Sequence, residues 1–493
     1  MKKIYHYFPA EQVQKPGYDI SHVSTGIVHL GFGAFHRAHQ ALYTDETMTA
    51  TGRTDWGIAA ASLRSGQNLI NSLKQQDYWY TVIECDGHNR RQIKLVGAVI
   101  EAMSARDDPQ PLLCLMTKAS TRIITLTITE KGYCLDPVSH QLNIGDPDVQ
   151  HDIDHPANPK SAIGFLVEAL NLRYQTGVPA FSVLSCDNIP DNGKKTRLAV
   201  IQLAKLTKPE LAQWIAGHVR FPSSLADRIV PAISEQELTD ICVYLGADDQ
   251  CAVITEPYRQ WIIEDDFSLG RPEWDLIDGV QFVEDVTPWQ TMKLRMLNGS
   301  HSLLAYLGGL AGYQTIADAI NDDRLAYVVR YYLNREATPS LQIPCGVNAA
   351  EYAQHIMIRF ANQALQHRTD QVASDGSQKL PIRWFPQLEV LVLSQQGFNC
   401  IALGIAAWLR YLDGIDDQNN SIKVCDPLTK QLQQLKIDNT SFSGVSNIIR
   451  QSGLFPACIS QSPTALGRIN YYYAQLQENG VLSTLEEFQQ CCR

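Results

Sequence analysis

The first part of the chain alternates between short apolar runs and longer amphipathic or polar stretches. Between Gly26 and about Val286, the apolar runs are GIVHLG, WGIAAASL, YTVIEC, IKLVGAVI, RIITLTIT, FSVLSCDN and CAVITEP. Residues 161–177 (SAIGFLVEALNLRYQTG) instead place apolar side chains at helical spacing and end in Gly177, which is typical of a helix C-terminus. Strands that alternate with helices predict a parallel sheet covered by helices on both faces.

Helical periodicity dominates the chain after about Thr287, where clear strand patterns are few. The predicted helical segments are residues 292–312, 324–337, 349–365, 399–414 and 464–480. We therefore predict an α/β domain over residues 1–286 and a mainly α-helical domain over residues 287–493. The segment DVTPW (285–289) is the expected hinge, because Pro288 restricts the backbone of the residue before it.

The composition is that of an ordinary globular protein, with 493 residues of which 45% are hydrophobic and 19% are charged. A single hydrophobic core seldom serves more than about 300 residues, so this length agrees with two domains. The net charge of −11 argues against a nucleic-acid partner, which requires a basic face.

Twelve scattered cysteines, without a CxxC pair, favour a reducing compartment. The sequence shows neither the apolar core of a signal peptide nor a stretch that approaches 18 apolar residues. We therefore expect a cytoplasmic protein with no membrane partner.

Residues 26–40 (GIVHLGFGAFHRAHQ) have the pattern of a strand, a glycine turn and a helix. Such a turn presents backbone N–H groups to the pyrophosphate of a dinucleotide. The candidate cofactor-binding residues are Gly31, Phe32, Gly33, Ala34 and Phe35. His36 stands where the usual fingerprint has its third glycine, so an ordinary turn is the alternative.

The second strand of a dinucleotide fold usually ends near an acidic residue that binds the adenosine ribose. Here it ends in Ser62-Leu63-Arg64, which leaves the choice between NAD and NADP open, because an arginine can bind a 2′-phosphate or can simply be solvated. His36 and His39, three residues apart on the first helix, resemble a metal-ligand pair, but no third ligand is near them and we expect structural roles.

Lys293, Asn298 and His301 lie in one apolar segment, MKLRMLNGSHSLLAYLG. Burial lowers the pKa of a lysine towards neutrality and makes it a competent general acid/base. Asparagine and histidine beside it can hold a substrate oxygen by hydrogen bonds. In a regular helix the three side chains spread over an arc of about 140°, so they converge only through the length of the lysine or a helix irregularity near Gly299. The alternative is a plain helix whose Lys293 ammonium reaches solvent.

Seven motifs, in this order along nearly the whole chain, resemble the mannitol dehydrogenase family of polyol-specific long-chain dehydrogenases. They are GxGxFHRAHQ, TEKGY (129–133), SCDN (185–188), DRIVP (227–231), EPYRQWIIED (256–265), KLRMLNGSHS (293–302) and DGSQKLP (375–381). The family's own phosphate turn has a histidine at the place of His36. Within the family, the sequence looks most like the members that reduce D-fructuronate.

The resemblance implies a Rossmann-like N-terminal domain, a mainly α-helical C-terminal domain and a site in the cleft between them. It implies a metal-independent oxidoreductase with NAD as cofactor and Lys293 as general acid/base. By the family pattern Asn298, His301 and Asn188 hold the reacting oxygen. Glu130 is expected near the substrate and Asp227 near the nicotinamide.

A uronate differs from a polyol by its carboxylate, which calls for a cation in the site. The candidates are Arg259, Arg368 and Lys379. Arg259 is the foremost of them, and its alternative is an ion pair with one of three acidic residues, Glu256, Glu264 or Asp265.

Three other functions stay open on the sequence. The chain is alternatively a dehydrogenase that interconverts mannitol and fructose, a reductase of the isomeric keto-uronate tagaturonate, or a nicotinamide-binding sensor without catalysis.

Overall fold

The computed structural model describes residues 13–87, 90–136, 139–437 and 444–491. The chain divides into two compact units, Met1–Thr287 and Pro288–Arg493. The first is an α/β unit and the second is helical, so the predicted fold class is confirmed. Among the described residues, no helix is both long enough and apolar enough to cross a membrane.

Among the described residues, the N-terminal unit has three sheets built from twelve strands. They are β1 (Val13–Gln14), β2 (Thr25–Leu30), β3 (Gly57–Ser62), β4 (Tyr80–Cys85), β5 (Arg91–Val96), β6 (Val99–Ser104), β7 (Ile123–Leu126), β8 (Ser182–Ser185), β9 (Ser224–Asp227), β10 (Val253–Thr255), β11 (Gln260–Glu264) and β12 (Val280–Val283). The largest sheet has the order β6-β3-β2-β7-β8, and all of its neighbours are parallel. The others have the orders β1-β5-β4-β10 and β12-β11-β9, and both are mixed.

The helices of this unit are α1 (Ala34–Ala38), α2 (Gln40–Thr51), α3 (Gln67–Gln75), α4 (Gln110–Thr117), α5 (Pro147–Asp154), α6 (Ala162–Thr176), α7 (Asn192–Thr207), α8 (Pro209–His218) and α9 (Glu235–Leu245). Short 3-10 turns lie at Ile20–His22, Glu130–Tyr133 and Trp274–Leu276. The predicted helix over 161–177 is confirmed: Ser161 accepts the N–H of Gly164 at its start, and Gly177 ends it with a φ of 70°.

Two hydrophobic clusters cover the parallel sheet. Val28 and Leu30 of β2 belong to one cluster, whereas Ile27 belongs to the other, as expected when successive side chains of a strand point to opposite faces. The strands Ile27–Leu30 and Ile123–Leu126 are fully buried, which explains their continuous apolar runs.

The apolar run IKLVGAVI, residues 93–100, is not one strand. It divides at Gly97 into the end of β5, which pairs antiparallel with β4, and the start of β6, which pairs parallel with β3 in the large sheet. The N–H of Gly97 donates to Asp45 at 2.7 Å, and a Cβ on Gly97 would lie 2.5 Å from the Trp79 ring. A buried carboxylate and an indole therefore redirect the chain from one sheet to another.

The helices of the C-terminal unit are α10 (Thr287–Lys293), α11 (Gly299–Leu310), α12 (Ile316–Ile320), α13 (Asp323–Tyr331), α14 (Ala349–Phe360), α15 (Thr369–Ala373), α16 (Gly376–Arg383), α17 (Phe385–Leu393), α18 (Asn399–Tyr411), α19 (Thr429–Ile437), α20 (Gly444–Gln451), α21 (Ala457–Ser460) and α22 (Pro463–Cys491). In the described part of this unit, two π-helical turns, Leu294–Asn298 and Tyr332–Ala337, and two 3-10 turns, Thr338–Ser340 and Gln363–Leu365, lie between these helices.

The five helical segments predicted from periodicity are helical over most of their length. α11 and α18 are buried almost throughout and pack on each other, and α18 also packs on α22. Close packing here depends on Gly404 of α18, because a Cβ at this position would lie 2.7 Å from the Trp384 ring.

Candidate active site

The glycine turn after β2 has the form that a phosphate needs. Gly31 has a φ of +103°, and a Cβ there would lie 2.0 Å from the carbonyl oxygen of Thr127 at the end of β7, so only glycine fits. Gly33 precedes α1, and the nearest atom that its Cβ would meet is the Gly31 oxygen at 3.9 Å. The start of α1 is therefore bare, and a pyrophosphate can approach its backbone N–H groups.

His36 of α1 is a packing residue. Its ring is buried and stacks on the His29 ring of β2, with 3.4 Å between the ring centres. Threonine hydroxyls hold the His29 ring, at 2.8 Å from Thr125 and 2.9 Å from Thr127. Burial places the pKa of His36 well below its usual value, so the imidazole is neutral and packs as an aromatic ring.

His39 is also held structurally, with its Nε2 at 3.3 Å from the Gln260 carbonyl. In the described part of the chain, no group of three or more His, Cys, Asp or Glu side chains is placed to hold a metal ion. Arg64, after β3, is exposed and pairs with Asp148 at 2.6 Å.

Three parts of the predicted site follow neighbouring parallel strands. The Gly31–Gly33 turn follows β2, Glu130 begins the 3-10 turn after β7, and Asn188 follows β8. Since these strands are adjacent and parallel, the three segments lie at the same edge of the sheet, where open α/β sheets bind their ligands. Glu130 and Asn188 are both exposed there.

Asp187, which the sequence analysis missed, orders this edge. Its carboxylate accepts the N–H groups of Ile128 and Thr129, each at 3.0 Å, and the Tyr133 hydroxyl at 2.6 Å. The loop that carries Glu130 is thereby tied to the loop that carries Asn188. An acidic residue directly after a buried strand, in the motif SCDN, was the available signal.

Asp227 lies on a different sheet of the same unit. It is the buried last residue of β9 in the three-stranded sheet, where it is paired in register with Gln260 of β11. The next residue, Arg228, is buried and forms an ion pair with Glu84.

Arg259 belongs to a buried ion-pair network. Its guanidinium lies 2.6 Å from Glu46, a residue of α2, and covers the Tyr43 ring. The predicted partner set of Glu256, Glu264 and Asp265 is wrong, because sequence proximity does not show which helix packs against β11. Lys94 continues the network, at 3.0 Å from Glu46 and 3.1 Å from Glu84.

The three candidates of the helical unit lie on one interrupted helix. α10 ends at Lys293, a π-helical turn spans Leu294–Asn298, and α11 begins at Gly299, whose N–H donates to the carbonyl five residues back. A single π turn inserts one residue, so the residues after it rotate back by about 100°. The arc that spans Lys293, Asn298 and His301 thereby shrinks from about 140° to about 60°. This turn is the helix irregularity that convergence required.

Side chains from neighbouring helices hold the carbonyls around the π turn. The Tyr332 hydroxyl donates to the Arg295 carbonyl at 2.6 Å, and the Trp384 indole donates to the Gly299 carbonyl at 3.2 Å. A Cβ on Gly299 would lie 2.1 Å from the Tyr332 hydroxyl, so this position also requires glycine. The π turn is therefore built into the packing of the unit.

Lys293 and Asn298 are buried, and His301 is partly exposed. Neither the Asn298 amide nitrogen nor the His301 Nε2 has a hydrogen-bond partner among the described residues. The His301 ring lies between Phe360, at 4.8 Å, and His367, at 5.0 Å between ring centres. Burial holds the pKa of His301 well below its usual value, so its imidazole is neutral. Unpaired buried polar groups of this kind point to a polar ligand.

The two remaining cation candidates differ in setting. The Arg368 side chain is exposed and pairs with Asp370 at 2.9 Å, on the surface. Lys379 of α16 is half-buried, with its ammonium 3.1 Å from the Ser374 hydroxyl, and burial lowers its pKa to about 8.

Arg383, four residues after Lys379 on α16, was missed. It donates to the Asn298 carbonyl at 3.2 Å and to the Ser302 hydroxyl at 2.7 Å, so it sits directly on the candidate helix. The signal in the sequence was the four-residue spacing between Lys379, inside the DGSQKLP motif, and Arg383, two residues after it.

Comparisons with known proteins identify the family of both units. The mannitol dehydrogenase Rossmann domain matches residues 25–276, and the mannitol dehydrogenase C-terminal domain matches residues 285–477. The chain belongs to the mannitol dehydrogenase family. As a member of this family it is an oxidoreductase that acts on CH–OH groups, as the resemblance implied.

Individual members of the mannitol dehydrogenase family match nearly end to end. D-mannonate oxidoreductase of Escherichia coli (strain K12) is 44% identical over 95% of this chain and 96% of its own. The Pseudomonas fluorescens mannitol 2-dehydrogenase, solved as a ternary complex with NAD and D-mannitol, is 37% identical with a TM-score of 0.88 and covers 97% of both chains. A D-sorbitol dehydrogenase solved in substrate-free form is 31% identical with a TM-score of 0.89, over 97% of this chain and 98% of that one.

Proposed function

We propose that this protein is an NAD-dependent fructuronate reductase, which interconverts D-fructuronate and D-mannonate. The observation that supports this chemistry is the π-interrupted helix, on which Lys293 is buried and the buried nitrogens of Asn298 and His301 have no partner among the described residues. Likeness to D-mannonate oxidoreductase supports the choice of substrate.

The glycine turn fits a dinucleotide. The bare start of α1 after Gly33 leaves room for the pyrophosphate, and the mannitol 2-dehydrogenase relative was solved with NAD. Arg64 is paired with Asp148, which supports NAD over NADP because no free guanidinium is offered there for a 2′-phosphate. NAD supplies the hydride when reduced and accepts it when oxidised.

Residues of the chain itself transfer the proton and bind the reacting oxygen of the substrate. In the reductive direction the Lys293 ammonium donates a proton to the oxygen that becomes the alcohol, and in the oxidative direction the neutral amine removes it. The Asn298 amide and the His301 imidazole hydrogen-bond this oxygen and stabilise the negative charge that develops on it. Asn188 and Glu130, at the carboxyl edge of the sheet, are assigned to the substrate, and Asp227 to the nicotinamide side.

A second function has support of its own. Mannitol 2-dehydrogenase shares this fold at 37% identity, so interconversion of mannitol and fructose is the alternative. Tagaturonate, an isomer of fructuronate with the same charge, is a further candidate substrate.

Initial rates with NADH and with NADPH against fructuronate, tagaturonate and fructose decide among these functions. We expect the highest kcat/KM with NADH and fructuronate. A higher value with fructose identifies a polyol dehydrogenase, and a higher value with tagaturonate identifies the isomeric reductase. Binding of NADH without turnover of any of the three would identify a sensor.

A further inference from the structure

Arg383 carries a buried positive charge that no carboxylate of the described chain neutralises. Its guanidinium makes no ion pair among the described residues, and its two hydrogen bonds go to neutral acceptors, the Asn298 carbonyl and the Ser302 hydroxyl. Its Nε is buried and has no hydrogen-bond partner. A buried cation is costly unless an anion pairs with it, so the arrangement leaves a place for an anion.

The surrounding groups leave this positive charge uncompensated. Burial lowers the pKa of Arg383 to about 10, so the guanidinium remains protonated at neutral pH. Burial also lowers the pKa of His367 to about 4 and holds the pKa of His301 well below its usual value, so both imidazoles are neutral. Lys379, with its pKa lowered to about 8, adds a second cation close to Arg383.

Arg383 lies next to a residue that is assigned to the reacting oxygen. The guanidinium is anchored to the carbonyl of Asn298, the residue whose side-chain amide is assigned to the reacting oxygen. A uronate carries its carboxylate a few bonds from its keto carbon, so a cation that binds it must lie close to the groups that hold the keto oxygen. Arg259 and Arg368 are less suited, since each already pairs with a carboxylate of its own.

We propose that Arg383 binds the carboxylate of the substrate and thereby selects keto-uronates over uncharged ketoses. This inference rests on the proposed function, because it concerns the same reaction and the same site. An uncharged hydroxymethyl group in that place leaves the buried guanidinium unpaired, which disfavours fructose and mannitol. Arg383 is thus a specificity-determining residue that acts on substrate binding.

Arg383→Gln tests the proposal, because glutamine keeps a hydrogen-bond donor while it removes the charge. We expect kcat/KM for fructuronate to fall about 100-fold, the loss of two charge-assisted hydrogen bonds, while kcat/KM for fructose changes less than about threefold. Arg383→Lys, which keeps the charge, restores part of the loss. Arg368→Gln is the matched control, and its fructuronate kinetics stay at the wild-type value.

Equal losses on fructuronate and fructose would show that Arg383 only supports the helix, and an unchanged kcat/KM for fructuronate would show that it does not touch the carboxylate. Either result overturns the inference while the wild-type enzyme still reduces fructuronate. If the wild-type enzyme prefers fructose, the proposed function itself fails.

Calorimetric titration of the enzyme–NADH complex with D-mannonate and with D-mannitol makes the same comparison where fructose turnover is too slow to measure. We expect Arg383→Gln to weaken D-mannonate alone. Circular dichroism and NADH affinity at wild-type values establish that the variant is folded.

Discussion

At the scale of single residues, the site is defined by polar atoms that the folded chain leaves unpaired. The Asn298 amide and the His301 Nε2 are buried without partners in the described structure, although nearly all buried polar groups in proteins are paired. Lysine, asparagine and histidine in an apolar segment could be recognised in the sequence. Which of their atoms lack partners, and that Arg383 lies beside them, depends on helices distant in sequence.

Lys293→Ala removes the proposed acid and base. We expect turnover of fructuronate to fall about 1,000-fold, within the range that a lost general acid/base produces, while NADH still binds. Stopped-flow rates and NADH fluorescence titrations measure the two quantities. Lys205→Ala, at an exposed position of α7, is the control and leaves both unchanged. Near-normal turnover by Lys293→Ala would exclude the lysine from the mechanism.

His367 makes the stability of the C-terminal unit depend on pH. Burial first and Lys379 second lower the pKa of this imidazole from 6.5 to about 4. Between these values the unfolded chain binds a proton that the folded chain does not, so stability falls as the pH falls through this window. From pH 7 to pH 5 the loss is about 2 kcal/mol.

Urea unfolding of the wild type and of His367→Gln at both pH values measures this contribution. Glutamine does not titrate, so the variant should lose less stability between pH 7 and pH 5 than the wild type by about the same 2 kcal/mol. Identical losses in the two proteins would show that His367 is not held neutral by the fold.

At the scale of elements, a π turn and a bare glycine turn build the two parts of the site. Apolar periodicity predicted a helix through residues 292–312, and the structure has one, but the inserted turn over Leu294–Asn298 is not visible in that pattern. It depends on Tyr332 and Trp384, which hold its carbonyls from other helices. More of the turn after β2 could be predicted from the sequence. Its two glycines allow a positive φ at Gly31 and leave space for a ligand at Gly33, and glycine is recognisable in the sequence.

Gly299→Ala should disrupt the π turn. Its Cβ would lie 2.1 Å from the Tyr332 hydroxyl, so we expect a loss of about 1–3 kcal/mol in unfolding free energy and a large loss of kcat. Gly299→Ala combined with Tyr332→Phe removes the clash and should regain part of the stability.

Gly467→Ala is the matched control for Gly299→Ala in the same unit. It lies in α22 with no atom within 4 Å of the added Cβ, and it should stabilise by about 0.5–1 kcal/mol. Thermal unfolding and steady-state kinetics compare the variants. Equal effects at the two glycines would show that the contact with Tyr332 is unimportant.

At the scale of the whole molecule, charges buried between elements stabilise the α/β unit. Glu46 of α2 pairs with Arg259 and Lys94, and Glu84 of β4 pairs with Lys94 and Arg228. Arg259 looked like a substrate-binding residue in the sequence because it interrupts an apolar stretch. The fold instead brings Glu46 to it across more than two hundred residues, which explains a buried arginine in that stretch.

Glu46→Gln should therefore destabilise the α/β unit by about 3 kcal/mol, because it leaves two buried cations without their shared carboxylate. Asp370→Asn, which breaks the exposed pair with Arg368, should cost less than about 1 kcal/mol. Differential scanning calorimetry of both variants measures the contrast. We expect the ratio of fructuronate turnover to fructose turnover to stay unchanged in Glu46→Gln. A much lower ratio would indicate that Arg259 binds the substrate.

The sequence by itself determined what depends on neighbours along the chain. The parallel strands, the helix over 161–177, the glycine turn and the change to helices after Thr287 follow from periodicity and from local backbone demands. The split of IKLVGAVI at Gly97, the π turn and the partner of Arg259 were decided only by the tertiary structure. Each depends on a side chain far away in the sequence, and periodicity carries no information about which distant groups will meet.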